Sequence, residues 1–191
     1  MTSAAASLPE TLAEAFDALA RGAADRHHGF HCAALATIGR DGAPSIRTLV
    51  LRGVEAASRQ LRLHSDRRAA KVAELAADAR AALLFYDAGA QLQLRLSGRA
   101  TLHADDAVAD SAWAESREMS RRCYAIAPAP GTAIAAPPAA PLDSEAGRPH
   151  FCVVLFHLET LESLNLAAAG HRRARFAWDA AGRPSATWLV P

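Results

Sequence analysis

The chain has 191 residues, long enough for one domain to bury a full core, and its 51% apolar and 21% charged residues argue against disorder. A net charge of +1 gives no global reason to expect nucleic acid or an anionic membrane, and no apolar run approaches the roughly 20 residues that span a bilayer. Three widely spaced cysteines (Cys32, Cys123, Cys152) without a Cys-x-x-Cys pair, and a start lacking a basic, apolar leader, point to a cytoplasmic protein with reduced thiols.

In chain order, Ser7-Leu8-Pro9-Glu10 has capping-box spacing, and Leu8, Leu12, Ala15, Phe16 and Leu19 share one face. This predicts an amphipathic helix over 7–21. Strands are expected over 31–38 and 44–52, joined by a tight turn at 39–42, and a third over 61–65. Asp66 is expected to cap a helix over 67–77, with Arg67 and Arg68 in its first turn. A strand over 81–86 then precedes one in which Leu92, Leu94 and Leu96 alternate with Gln93, Arg95 and Ser97, one face apolar and one polar. A helix over 105–122 follows. Residues 125–149 hold most of the ten prolines and predict an extended or mobile loop. Strands over 150–157 and 160–166 and a C-terminal pair complete the chain. The pattern is mainly β: one domain, 1–191, formed by an antiparallel barrel of about six to seven strands with appended helices.

Chemistry concentrates between Ser45 and Gly98. Arg47 opens an apolar strand, Ser65 nearly ends another, and Lys71 lies one turn into the helix that follows. A hydroxyl, free backbone amides, an arginine and a lysine make an anion site. Lys71 is also the only lysine in the chain. His27, His28, His31 and Cys32 sit too close in sequence to converge, so no metal site is read there. The Arg172–Arg175 cluster lacks interleaved aromatics, which favours a small anion over RNA. No acid–base pair stands out, and no catalytic residue is assigned.

The order Arg47-x-x-x-Leu51-Arg52, a strand ending in His64-Ser65, Lys71, then Gln93-x-Arg95-x-x-Gly98 resembles the pyridoxamine 5′-phosphate oxidase superfamily, and its oxidase-like members of unassigned substrate most closely. That resemblance implies an FMN-binding split barrel, a homodimer with the flavin at the subunit interface, and an FMN-dependent oxidoreductase acting on a small molecule. It implies that Arg47 and Lys71 hold the phosphate, Thr48, Leu49 and Val50 run past the ring, His64 and Ser65 lie at the ribityl-phosphate end, and Gln93 bonds the flavin. In Arg173-Ala174-Arg175-Phe176, Arg173 matches an arginine that approaches FMN from the partner subunit. Weaker matches make Arg52, Arg117 and His171 substrate contacts. The departures are Ala70 for an arginine before the lysine (a charge Arg67 or Arg68 could supply), Leu164 for a tryptophan, and Ala169 for the arginine of Arg-x-His. They imply a substrate other than the usual B6 vitamer. The alternative reading is a non-catalytic flavin- or haem-binding carrier or sensor.

Overall fold

A computed structural model describes residues 7–139, 141–167 and 170–191. The expected N-terminal helix, α1 (Leu8–Ala24), begins with the full capping box: Glu10 N–H donates to the Ser7 hydroxyl, and the Glu10 carboxylate accepts from Ser7 N–H. Its apolar face, including Ala15, Ala18 and Leu19, closes over the main core. No helix among the described residues is long and apolar enough to cross a membrane.

Eight strands form one antiparallel sheet: β1 (Cys32–Ile38), β2 (Pro44–Glu55), β3 (Gln60–Asp66), β4 (Arg80–Asp87), β5 (Leu92–His103), β6 (Phe151–Asn165), β7 (Arg172–Trp178) and β8 (Pro184–Leu189). Their order is β3-β2-β1-β4-β5-β6-β7-β8, and a further β3–β6 pairing closes the first six into a barrel. Along one edge of β6, the first half pairs with β3 and the second half with β7. The other edge pairs with β5 throughout. One strand thus closes the barrel and carries the β7–β8 leaf.

The single β6 replaces the two strands expected over 150–157 and 160–166. The register shifts between Ser97 and Gly98, where β6 bends without breaking. A Cβ on Gly98 would lie 2.0 Å from the His157 carbonyl oxygen, so only glycine lets the strands approach this closely. Inside the barrel, Leu35, Leu51, Leu61, Leu63, Phe85, Leu94, Leu96 and Phe156 are fully buried.

Two helical expectations change. The helix expected over 67–77 is α2 (Ala70–Ala77), which has no side-chain cap. Asp66 does not cap it, because its carboxylate is taken by the backbone and guanidinium of Arg68. The helix expected over 105–122 is α3 (Ala107–Glu115) followed by α4 (Glu118–Arg121). The break falls at Ser116, whose hydroxyl donates back to the Ala112 carbonyl while its backbone turns extended.

The proline-rich segment is anchored against the barrel. Arg68 donates to the carbonyls of Ile126 and Ala127, both at 2.9 Å, and the Trp113 indole donates to Glu145. Trp113 and Tyr124 each pack edge to face on Phe151 in a small second core.

Candidate functional site

A cleft of about 250 Å³ opens where β2, the end of β3 and the start of α2 meet. Thr48, Leu49 and Val50 form one wall, and His64, Ser65 and Lys71 form the other. Lys71 sits in the first turn of the short α2, and its Nζ lies 3.4 Å from the Ser65 hydroxyl. It makes no ion pair among the described residues. Burial, and then the Arg47 guanidinium, lower the Lys71 pKa. A half-buried ammonium repelled by a neighbouring cation is a place where an anion would be stabilised.

Arg47 points into the end of the barrel and is already engaged. Its guanidinium donates to Glu74 at 2.6 Å, and to the hydroxyls of Thr37 and Ser45. Burial opposes ionisation of Glu74, but hydrogen bonds from Thr37 and Arg47 outweigh it and hold the carboxyl below its usual range. Arg67 and Arg68, either of which could supply the charge missing at Ala70, are each held by a carboxylate. Arg67 pairs with Asp105 at 2.9 Å and Arg68 with Asp66 at 2.7 Å. The unpaired positive charge lining this cleft is therefore that of Lys71 and Arg52, with Arg47, paired to Glu74, behind them.

Arg52 and His64 also border a second cleft of about 550 Å³, reaching from the end of α1 to the α3–α4 junction. The β2 register shifts between Leu51 and Gly53, so Arg52 lies outside the ladder and is turned toward this cleft. Arg117 faces it from the start of α4, while Arg62 is held by Glu115 at 3.0 Å. Neither Arg52 nor Arg117 makes an ion pair among the described residues. His31 contributes a ring whose Nδ1 donates to the Gly22 carbonyl at 2.9 Å.

His64 packs edge-on against Phe151, and its buried Nε2 has no hydrogen-bond partner. Burial, aided by Arg52 and Arg62, pushes its pKa from 6.5 down to about 3. Acid thus protonates the unfolded chain before the folded one, and stability present above pH 6.5 is lost as pH falls toward 3. Between pH 7 and pH 5 the expected loss is at most about 2 kcal/mol. Denaturant titrations at both pH values should show His64→Gln losing less stability than the parent. Equal losses would mean that His64 is not held neutral.

The fold brings Arg47, Thr48, Leu49, Val50, Arg52, His64, Ser65 and Lys71 into one neighbourhood, with Arg117 across the second cleft. It leaves Gln93 and Arg173 apart. They stand in a cross-strand row, Tyr86–Gln93–Leu164–Arg173, in which Arg173 is paired with Glu162 at 2.7 Å. His171 is exposed just before β7 and borders neither cleft. Ala169 lies outside the described residues. Sequence reasoning missed Glu74 and Tyr124. Glu74 carried a signal, an acidic residue beside Leu75 on the buried side of a short helix; Tyr124 carried none.

Residues 23–163 match the family described as pyridoxamine 5′-phosphate oxidase. The chain belongs to that family. It is 39% identical over 119 residues to the pyridoxine/pyridoxamine 5′-phosphate oxidase of Anaeromyxobacter dehalogenans, covering 62% of this chain but 58% of that enzyme. It is 30% identical over 167 residues to pyridoxine/pyridoxamine 5′-phosphate oxidase 2 of Arabidopsis thaliana, covering 81% and 82% of the two chains. The fold is that of a pyridoxamine 5′-phosphate oxidase-related, FMN binding protein of Nostoc punctiforme (TM-score 0.76, 24% identity, 99% of this chain and all of that one). It is also that of PhzG from Burkholderia lata (TM-score 0.73, 21% identity, 98% and 95%), whose structure contains tetrahydrophenazine-1-carboxylic acid. This member of the pyridoxamine 5′-phosphate oxidase family is thus a mainly β split barrel.

Proposed function

We propose that this chain binds FMN, with the phosphate against Lys71, Ser65 and Arg47, and that it is a flavin-dependent oxidoreductase acting on a small anionic substrate. The observation that carries this reading is the Lys71 ammonium, half-buried beside a hydroxyl and lacking an anionic partner among the described residues. A phosphate offsets both its desolvation and the repulsion from Arg47. FMN, when bound, supplies a hydride acceptor. The protein's part is to hold the phosphate, to line the cleft with Thr48, Leu49 and Val50, and to present Arg52 and Arg117 to the substrate. Two guanidinium groups without carboxylate partners suit a carboxylate or phosphate substituent. Leu164 and Ala169, standing where the family pattern has a tryptophan and an arginine, support a substrate other than the usual B6 vitamer.

We assign a homodimer to the complete site. Ser65 is paired with Cys152 near one end of β6, whereas Gln93 and Arg173 are paired with Leu164 near the other. Twelve residues of strand separate these positions, roughly 40 Å of extended chain. A second copy bringing its Gln93 and Arg173 to this Lys71 unites the two groups. The outer sheet face suits such contact, with Ile46 70%, Leu84 39% and Tyr86 50% exposed. The unpaired cysteines suit a reducing, cytoplasmic setting.

The test is to purify the protein without added cofactor, record its visible spectrum and identify the released chromophore. About one FMN per chain is expected. A colourless protein that takes up no added FMN would refute the reading. Light scattering on the same sample should give a dimer; a flavin-loaded monomer would remove the shared site. Turnover with pyridoxamine 5′-phosphate at the rate of the best screened substrate would remove the substrate assignment.

A further inference from the structure

We propose that His103 and His157 form a surface site for a divalent first-row metal ion, copper(II) most tightly, with the Thr101 hydroxyl between them. Thr101 and His103 lie two residues apart on β5 and therefore share a face. His157 stands on β6 opposite Arg99, two residues from Leu155, the partner of Thr101, and so on the same face. The Nε2 atoms of His103 and His157 lie 3.2 and 3.1 Å from the Thr101 Oγ1. Both imidazoles thus converge on one point from strands fixed by continuous pairing.

The hydrogen bond at the far nitrogen of His103 favours a metal. His103 Nδ1 is 2.8 Å from the Asp106 carboxylate, which only accepts, so this nitrogen bears the proton. The Nε2 lone pair of the neutral ring then points at the Thr101 hydroxyl. An imidazole pinned through its far nitrogen by a carboxylate is the form in which histidine binds metals. With both rings neutral and no metal bound, the one hydroxyl proton goes to His103, and His157 donates its own Nε2 proton to the oxygen. Metal binding needs that proton to move to His157 Nδ1, which makes no hydrogen bond among the described residues. No three His, Cys, Asp or Glu side chains among the described residues form a metal-binding group. This is therefore an open site completed by water, and two imidazoles favour copper(II) over nickel(II) and zinc(II). None of the four residues borders either cleft, so the site stands apart from the flavin reading.

The experiment is a titration of the full-length protein with copper(II) alone, followed by calorimetry and electron paramagnetic resonance. One ion per chain with hyperfine structure from two nitrogens is expected. His103→Ala and His157→Ala should each weaken binding at least tenfold, and Asp106→Asn about tenfold. Asparagine can still cap α3, where Asp106 accepts from the Ala109 amide, so that variant keeps its fold. Unchanged affinity in both histidine variants would overturn the proposal by placing the ion elsewhere, as at His27, His28 and His31. Absence of binding to the parent protein would overturn it, as would a spectrum showing fewer than two nitrogens. If a histidine variant fails to fold, the parent spectrum and Asp106→Asn decide.

Discussion

Lys71→Ala should fold normally and purify almost without flavin. The ammonium makes one long hydrogen bond and no ion pair among the described residues, so its loss breaks little in the protein alone. It also removes a half-buried charge that Arg47 repels. A charge-assisted hydrogen bond to phosphate contributes about 1.5–3 kcal/mol, so FMN affinity should fall roughly 10- to 100-fold. Fluorescence titration with FMN and the flavin-to-protein ratio after purification measure this. A variant that melts like the parent and keeps its full flavin would end the phosphate assignment. Arg47→Ala is a less clean probe than the sequence suggests. Removing it strands Glu74, whose side chain is 11% exposed, and should cost about 2 kcal/mol of stability before any flavin effect is read. Lys71→Arg should restore part of the affinity, since a planar fork replaces a compact charge.

Gly98→Ala should be the most damaging single methyl addition on the barrel wall. The new Cβ would sit 2.0 Å from the His157 oxygen and 3.2 Å from the Glu159 nitrogen, both backbone atoms of β6. Neither can rotate away as a side chain could, so the strands must part at the bend. The expected cost is about 3 kcal/mol, a fall in melting temperature on the order of 10 °C. Gly53→Ala is the control. Its Cβ would meet the Arg62 side chain at 3.3 Å, a flexible group that can yield, and should cost less than about 1 kcal/mol. Equal melting of the two variants would mean that the close approach at Gly98 does not constrain β6.

Local structure was legible wherever one physical signal dominated. The capping box at Ser7 and Glu10 placed α1, and the alternation from Leu92 to Ser97 placed the start of β5. What depended on partners distant in sequence was not. The continuity of β6 follows from its bend against Gly98, and the break after α3 from a serine hydroxyl turning back on its own helix. The ordered motif of Arg47, Ser65 and Lys71 led to the cleft, and the fold gathers those residues. Charges equivalent on paper proved unequal. Arg67 and Arg68 lie close to Lys71 in sequence, yet Asp105 and Asp66 hold them. Such ion pairs are set by tertiary placement, which no spacing rule encodes.

The closing ladder of the barrel also governs the order of assembly. Leu61 pairs with Phe156, so β3 must wait for a strand more than ninety residues further along the chain. β1, β2, β4 and β5 pair over much shorter separations. Closing the longer loop carries the larger entropic cost, which places this seam late in folding. Until it forms, one edge of β3 is unpaired and the apolar side chains of Leu61 and Leu63 lack the Phe156 face that covers them. The nascent chain is therefore most exposed to strand-edge aggregation after its N-terminal half has emerged and before β6 has been made.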